Sequence, residues 1–224
     1  MKLPFFNRHR YVEIKAYTDI KWYVDEIPVV LTKDIRPTHL NSKKLSSQEQ
    51  RYESTFNGCQ GRIAGLRNSL TIRNHCEYDI IANEQDWHAV VPKSNQVFSI
   101  EPSNDPIFRP RSINVARVKV PWLLETSNTK ISYVLASHIL NTTGLSIFSG
   151  VLTKDFIQSV NYFLGIPKQN VNYTVPFRHP VLQLFPLTDL PIHVVSEYNP
   201  EKYRELFTIG ISRPKFSNAF AFKK

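Results

Sequence analysis

The chain has 224 residues, 42% hydrophobic, 12% aromatic and 21% charged, a profile that excludes a disordered chain and leaves room for one large domain or two small ones. Two cysteines, Cys59 and Cys76, exclude a framework of bridges and have no metal-ligand spacing, so two buried thiols in a reducing compartment are expected. The net charge of +9 sits at the two ends, since residues 1–75 hold 13 basic against 7 acidic side chains and residues 196–224 hold 6 against 3.

In chain order, YVEIKAY alternates Val12, Ile14 and Ala16 against Glu13 and Lys15, the period of a half-buried strand. WYVDEIPVVL predicts a second extended piece broken at Pro28. Residues 32–62 are polar, with a Ser46-x-x-Glu49 capping-box pattern able to start one short helix, and predict a long surface arm that is a candidate contact element. From residue 63 short strands follow closely: SLTIR, EYDIIA, WHAVVP, VFSIE, INVARVKVPWLL, KISYVLAS, LSIFSGVL, VNYFLGI, NYTVPF and PVLQLFPL. Fifteen prolines against seven glycines disfavour long helices, and the many short runs predict a sandwich, barrel or β-clip. A helix is predicted at NPEKYRELFTIG, capped by Asn199, entered through Pro200 and stopped at Gly210. The expected organisation is one compact unit in three parts: N-terminal strands and arm over 1–62, a β domain over 63–195, and a short helix with a basic aromatic tail over 196–224.

The spacing Gly144-Leu145-x-Ile147-x-x-Gly150-Val151-Leu152-x-x-Asp155-Phe156 resembles the third motif of the trimeric dUTPase family, G-V-I-D-x-x-Y after a GL-containing strand. Tyr78-Asp79-Ile80-Ile81-Ala82 upstream resembles the first motif, and Pro180-Val181-Leu182-Gln183-Leu184 downstream resembles the tail of the fourth. The stretch from Cys59 to Leu187, with VPWLLET and VPFRHPVLQLFPL, is also similar to an uncharacterised protein family of tailed bacteriophages. The resemblance implies a mainly β protein, a dUTPase-like β-clip or sandwich of many short strands with one or two short helices and a long polar arm, assembled as a homotrimer.

The chemistry of that motif is not retained. Where dUTPases carry the carboxylate that activates water and the tyrosine under the deoxyribose, this chain has Thr153 and Phe156, and a hydroxyl without an adjacent base is no general base near neutral pH. Asp155 would sit roughly 6–7 Å further along a strand, beyond reach of the same water, and is expected in a solvated turn. Of the second motif's Arg-Ser pair only Ser137 has a match, in Ala136-Ser137-His138; Arg178-His179 replaces the fourth motif's Gly-Asp. The glycine-rich fifth motif has no counterpart after Gly210. His138, His179 and His193 lack local ligand spacing and are expected as separate surface or edge histidines, while Trp22, Trp87 and Trp122 are expected as core anchors.

These features predict a non-catalytic, phage-encoded structural or binding protein, such as a capsid, neck or tail component, with no catalytic residue, cofactor or metal. Its candidate interface residues are Arg8, Arg10, Lys43, Lys44, Arg51, Phe216, Phe220, Phe222, Lys223 and Lys224, facing another copy, other phage structural proteins or nucleic-acid phosphates. Simple solubilising charge is the plainer reading of the same residues. The alternative is a nucleotide-binding or nucleotide-hydrolysing protein, or an inhibitor of host defence that sequesters a nucleotide. Tyr78, Asp79, Ser137, Gly150, Thr153, Asp155, Phe156 and Gln183 would then form a degenerate pocket, with Mg²⁺ carried by the nucleotide's phosphates. Direct base reading is not expected, for want of any Lys/Arg cluster interleaved with aromatics. No window is apolar enough to span a bilayer and MKLPFFNRHRYVEIK has no cleavage-site pattern, so a virion or host-cytoplasm location without secretion is expected.

Overall fold

The computed structural model describes residues 11–35, 68–91, 100–102, 113–126, 131–138, 141, 143–152 and 160–212. Their elements, in order, are β1 (Val12–Thr18), α1 (Lys21–Glu26), β2 (Val30–Leu31), a 3-10 turn (Thr32–Asp34), β3 (Leu70–Arg73), β4 (Tyr78–Ala82), β5 (Trp87–Val90), β6 (Ile100–Pro102) and β7 (Ile113–Lys119). There follow β8 (Leu123–Thr126), β9 (Tyr133–Ser137), β10 (Ser146–Ile147), β11 (Gly150–Leu152), β12 (Asn161–Pro167), β13 (Val171–Val175), β14 (Pro180–Pro186), β15 (Ile192–Tyr198) and α2 (Pro200–Ser212). The protein is mainly β, as the run of short apolar segments predicts.

The strands form four sheets, ordered β15-β1-β8, β10-β12-β7-β6, β11-β9-β14-β3-β2 and β13-β4-β5. All pairings are antiparallel except β1 with β15, which run parallel in register from Val12↔Ile192 to Thr18↔Tyr198. One apolar core runs through all four sheets, from Val12 and Ile14 through Ile72, Tyr78, Val118, Trp122, Leu135, Leu164 and Leu184 to Ile192. Residues of the expected N-terminal segment therefore pack in the same interior as those of the β domain. Of the arm expected over 32–62, residues 36–62, with the capping-box pattern, lie outside the described residues, while its start is the 3-10 turn, whose Thr32 is buried rather than on a surface excursion.

Four expectations change. Lys21–Glu26 is a helix rather than an extended piece: Tyr23 and Ile27 are the buried positions, four apart, whereas a strand's period would have carried Asp25 inward with them. The Ile27 N–H donates to the Tyr23 carbonyl at 3.0 Å and closes the turn. IHVVSEY forms β15, a strand its residue pattern does not announce, because this edge strand buries only Ile192 deeply and shows no clean alternation. α2 begins as predicted, with Asn199 Oδ1 accepting from the Lys202 N–H at 3.0 Å, but runs past Gly210 to Ser212. Of the tryptophans, Trp122 is fully buried and Trp87 packs against the core, while Trp22 is 43% exposed and anchors nothing inside. Among the described residues no helix is long and apolar enough to cross a membrane.

Two glycines of the dUTPase-like stretch behave differently. Gly144 has φ 78°, and a Cβ there would meet the Tyr173 ring at 2.9 Å, while a Cβ on Gly150 would meet nothing within 4 Å. Gly144→Ala is therefore expected to destabilise the fold by at least about 1–2 kcal/mol through the left-handed backbone alone, with Gly150→Ala close to neutral. Urea unfolding of the two variants checks this, and equal midpoints would contradict it.

Candidate functional site

The stretch that resembles the dUTPase motif passes from one sheet to another. Leu145 and Ile147 are buried, with β10 paired to β12, and after Phe148 and Ser149 the chain enters the five-stranded sheet as β11, where Gly150 lies opposite Leu135. Thr153, Asp155 and Phe156 lie outside the described residues, as do all ten candidate interface residues from Arg8 to Lys224. The five remaining candidates are divided between sheets. Ser137, Gly150 and Gln183 belong to the five-stranded sheet, Ser137 opposite Leu182 and Gln183 opposite Ala136. Tyr78 and Asp79 belong to β4 in the three-stranded sheet with β13 and β5.

Their side chains are engaged within the protein. Tyr78 is 1% exposed, its hydroxyl 3.4 Å from that of Tyr162, and burial raises its pKa well above the ordinary tyrosine value. Asp79 Oδ1 accepts a cross-strand bond from Thr174 at 2.6 Å. Ser137 is exposed and accepts from Asn141 Nδ2 at 3.1 Å. Gln183 is 3% exposed and donates from Nε2 to Ser69 Oγ at 2.8 Å.

Gln183 opens a chain of buried polar groups. Ser69 Oγ donates to Thr32 Oγ1 at 2.8 Å, Thr32 and Thr71 hydroxyls meet at 2.9 Å, and Thr71 Oγ1 lies 2.9 Å from His138 Nε2. Every member is at most 6% exposed. With Gln183 and Ser69 donating, the remaining hydroxyls are satisfied when Thr32 donates to Thr71 and Thr71 to an unprotonated His138 Nε2. A proton on that nitrogen would reverse each hydroxyl and turn the Gln183 amide over, so the chain holds His138 neutral.

His138 is thus no surface histidine, and it does not stand apart from His179. The His138 N–H donates to the Val181 carbonyl at 2.9 Å, the Asn141 N–H donates to the His138 carbonyl at 2.9 Å, and Asn141 Oδ1 lies 3.3 Å from His179 Nε2. His179 is tied in turn to the end of β3, its carbonyl accepting from the Asn74 N–H at 2.7 Å. Asn74 Nδ2 fastens the following turn by donating to the Val175 and Pro176 carbonyls at 3.1 and 3.0 Å, and Arg178 takes a left-handed φ of 65° within it. Arg178 is spent on an ion pair with Glu26 and on the Phe177 ring, 5.2 Å away. His193 alone meets the expectation of an isolated histidine, exposed on β15 near Glu13.

Thr32, Ser69, Thr71, Arg73 and Asn74 were not singled out from sequence, yet SLTIR carries the signal. Its period of two puts Ser69, Thr71 and Arg73 on one face and Leu70 and Ile72 on the other. Nothing in sequence joins that face to His138, since the pairing of β3 with β14 and of β14 with β9 spans unrelated segments.

Burial, then the neighbouring His179 and Arg73, push the His138 imidazole down to about 4, and burial alone pushes His75 to about 4. Cys76 is buried, with its thiol pushed up to about 12, and is inert at neutral pH. In the unfolded chain both histidines take a proton near 6.5, so the stability that rests on their neutral forms is complete above that pH and is lost on acidification toward 4. The slope is about 1.4 kcal/mol per pH unit for each histidine. Urea titrations between pH 7.5 and 4.5 are expected to show it, and His138→Gln to remove about half; a flat profile would contradict both assignments. No protein-family model matches this sequence and no curated protein matches it, so the site rests on its own geometry.

Proposed function

We propose that this chain is a non-catalytic structural or binding protein on a mainly β scaffold, acting as an oligomeric component of a phage particle. The observation that carries the reading is the position of Gln183. The residue that would hold a base or sugar in a dUTPase-like pocket is 3% exposed and spends its amide on Ser69, inside the sheet. Tyr78, its partner in that pocket, is equally internal and lies on another sheet. A nucleotide would have to displace bonds that the fold itself needs, at about 1–3 kcal/mol for each buried polar group left unpaired. The particle and the homotrimer come from the resemblance to phage proteins and trimeric dUTPases, and the sites of contact would be the basic ends and aromatic tail.

Thermal unfolding against a panel of deoxynucleoside triphosphates and cyclic nucleotides with Mg²⁺ tests this. The expected result is no dependence on the base, any shift being matched by inorganic triphosphate at equal ionic strength. A rise of several degrees with one nucleotide above all others would overturn the proposal and make the pocket the function. Native mass spectrometry is expected to show an oligomer, and a monomer at micromolar concentration would remove the trimeric part.

A further inference from the structure

α2 is docked on a cluster of its own. Val12, Ile14 and Ala16 of β1 turn into the core, so Tyr17 turns to the opposite face of the sheet, where it lies across from Leu123 of β8. Tyr17, Leu123 and Leu206 form a buried cluster separate from the core, with Tyr203 half-buried against it. Among the described residues of α2, Leu206 alone is buried. A polar contact joins it: Lys202 Nζ lies 3.1 Å from Glu125 Oε1, and the Tyr17 hydroxyl donates to Glu125 Oε2 at 3.1 Å.

The link between this helix and the sheet is a single residue, for β15 ends at Tyr198 and α2 begins at Pro200. The Asn199 N–H donates to the Thr18 carbonyl at 3.1 Å and belongs to the strand, whereas the Asn199 carbonyl and Oδ1 accept from the Tyr203 and Lys202 N–H groups and belong to the helix. Rotation about the Asn199 N–Cα bond therefore swings α2 as a capped unit and leaves the β1-β15 ladder whole. Of the bonds made by Asn199, the one from Nδ2 to Glu197 at 3.0 Å gives way. Pro200 keeps Asn199 in the extended region, where φ is free over several tens of degrees. Leu206 lies about 10 Å beyond this hinge by helical rise, so that range carries it clear of its own site.

An undocked α2 opens Tyr17 and Leu123 to water, 4% and 2% exposed when covered, and the site is stable again once another Leu206 fills it. The docked helix in turn leaves apolar surface on either side of the hinge. Tyr198 is 46% exposed, and Phe207, stacked on Tyr203 with ring centroids 6.3 Å apart, is 49% exposed. A second copy crossing over at the hinge covers that surface and brings the one helix already complementary to the site.

We propose that α2 is an exchange element, which docks on Tyr17, Leu123 and Glu125 of a second copy and makes between chains the contacts it makes here within one. Reciprocal exchange closes a dimer, and cyclic exchange closes a ring of three. The inference rests on the oligomeric part of the proposed function and names the element that holds the copies together.

The test uses the wild-type chain, half of it light and half heavy-isotope-labelled, unfolded together in urea, refolded at micromolar concentration and treated with a carbodiimide, which joins a carboxylate to an amine already in contact. Glu125–Lys202 peptide pairs of mixed label are expected, approaching about half of those recovered from the oligomer in an equal mixture. Leu206→Asp is expected to release a monomer that keeps the β circular-dichroism spectrum. Same-label pairs alone, or an oligomer that survives Leu206→Asp, would overturn the exchange and leave the oligomer standing; a wild-type monomer in native mass spectrometry would remove both. The labelled wild type decides even where the variant does not fold.

Discussion

A row of hydroxyls inside a sheet has to satisfy itself. Ser69 and Thr71 lie on a strand whose other face is Leu70 and Ile72, so folding removes both hydroxyls from water together with the leucine and isoleucine. An unpaired buried hydroxyl costs a sizeable fraction of a domain's net stability. The fold meets this by bringing Thr32 from the 3-10 turn, Gln183 from β14 and His138 from the end of β9 onto the same face. Four segments far apart in sequence are thereby held in one register, because a slip by one residue would send the polar groups to the apolar side. The placement of Arg73 and His179 follows from that register.

Much of the architecture could be read from residue order. Alternation in YVEIKAY, the short apolar runs after residue 63 and the Asn199-Pro200 helix start all correspond to elements, because each depends on local chemistry and a single buried face. The failures share a cause. α1 has too few residues to show helical period, β15 has little buried face to advertise itself, and Trp22 looks like an anchor only until its neighbours are known. Composition marked apolar stretches well and could not say which end of each would be covered.

The site was less readable than the fold. Gln183 and Tyr78 fit the spacing of the dUTPase motifs, which implies a pocket for them, whereas their surroundings place them in the interior. His138 and His179 read as separate in sequence, since 41 residues (179 − 138) divide them and the β9-β14 pairing brings them together. Arg73 carries no local signal that distinguishes it from the other arginines of the chain.

The parallel pairing of β1 with β15 carries a consequence for biosynthesis. Val12 waits for Ile192, 180 residues later (192 − 12), and at roughly 5–20 residues per second a ribosome needs about 10–40 s to deliver that partner. Until then β1 has only the four pairings offered by β8, and its apolar residues Val12, Ile14 and Ala16 face the crowded interior of the cell. Such long-range closure slows folding and exposes a strand edge to other nascent chains. Among the described residues the last β-strand to be made is therefore the one that seals the first, and the yield of native protein depends on how well that early strand is shielded from its own copies in the meantime.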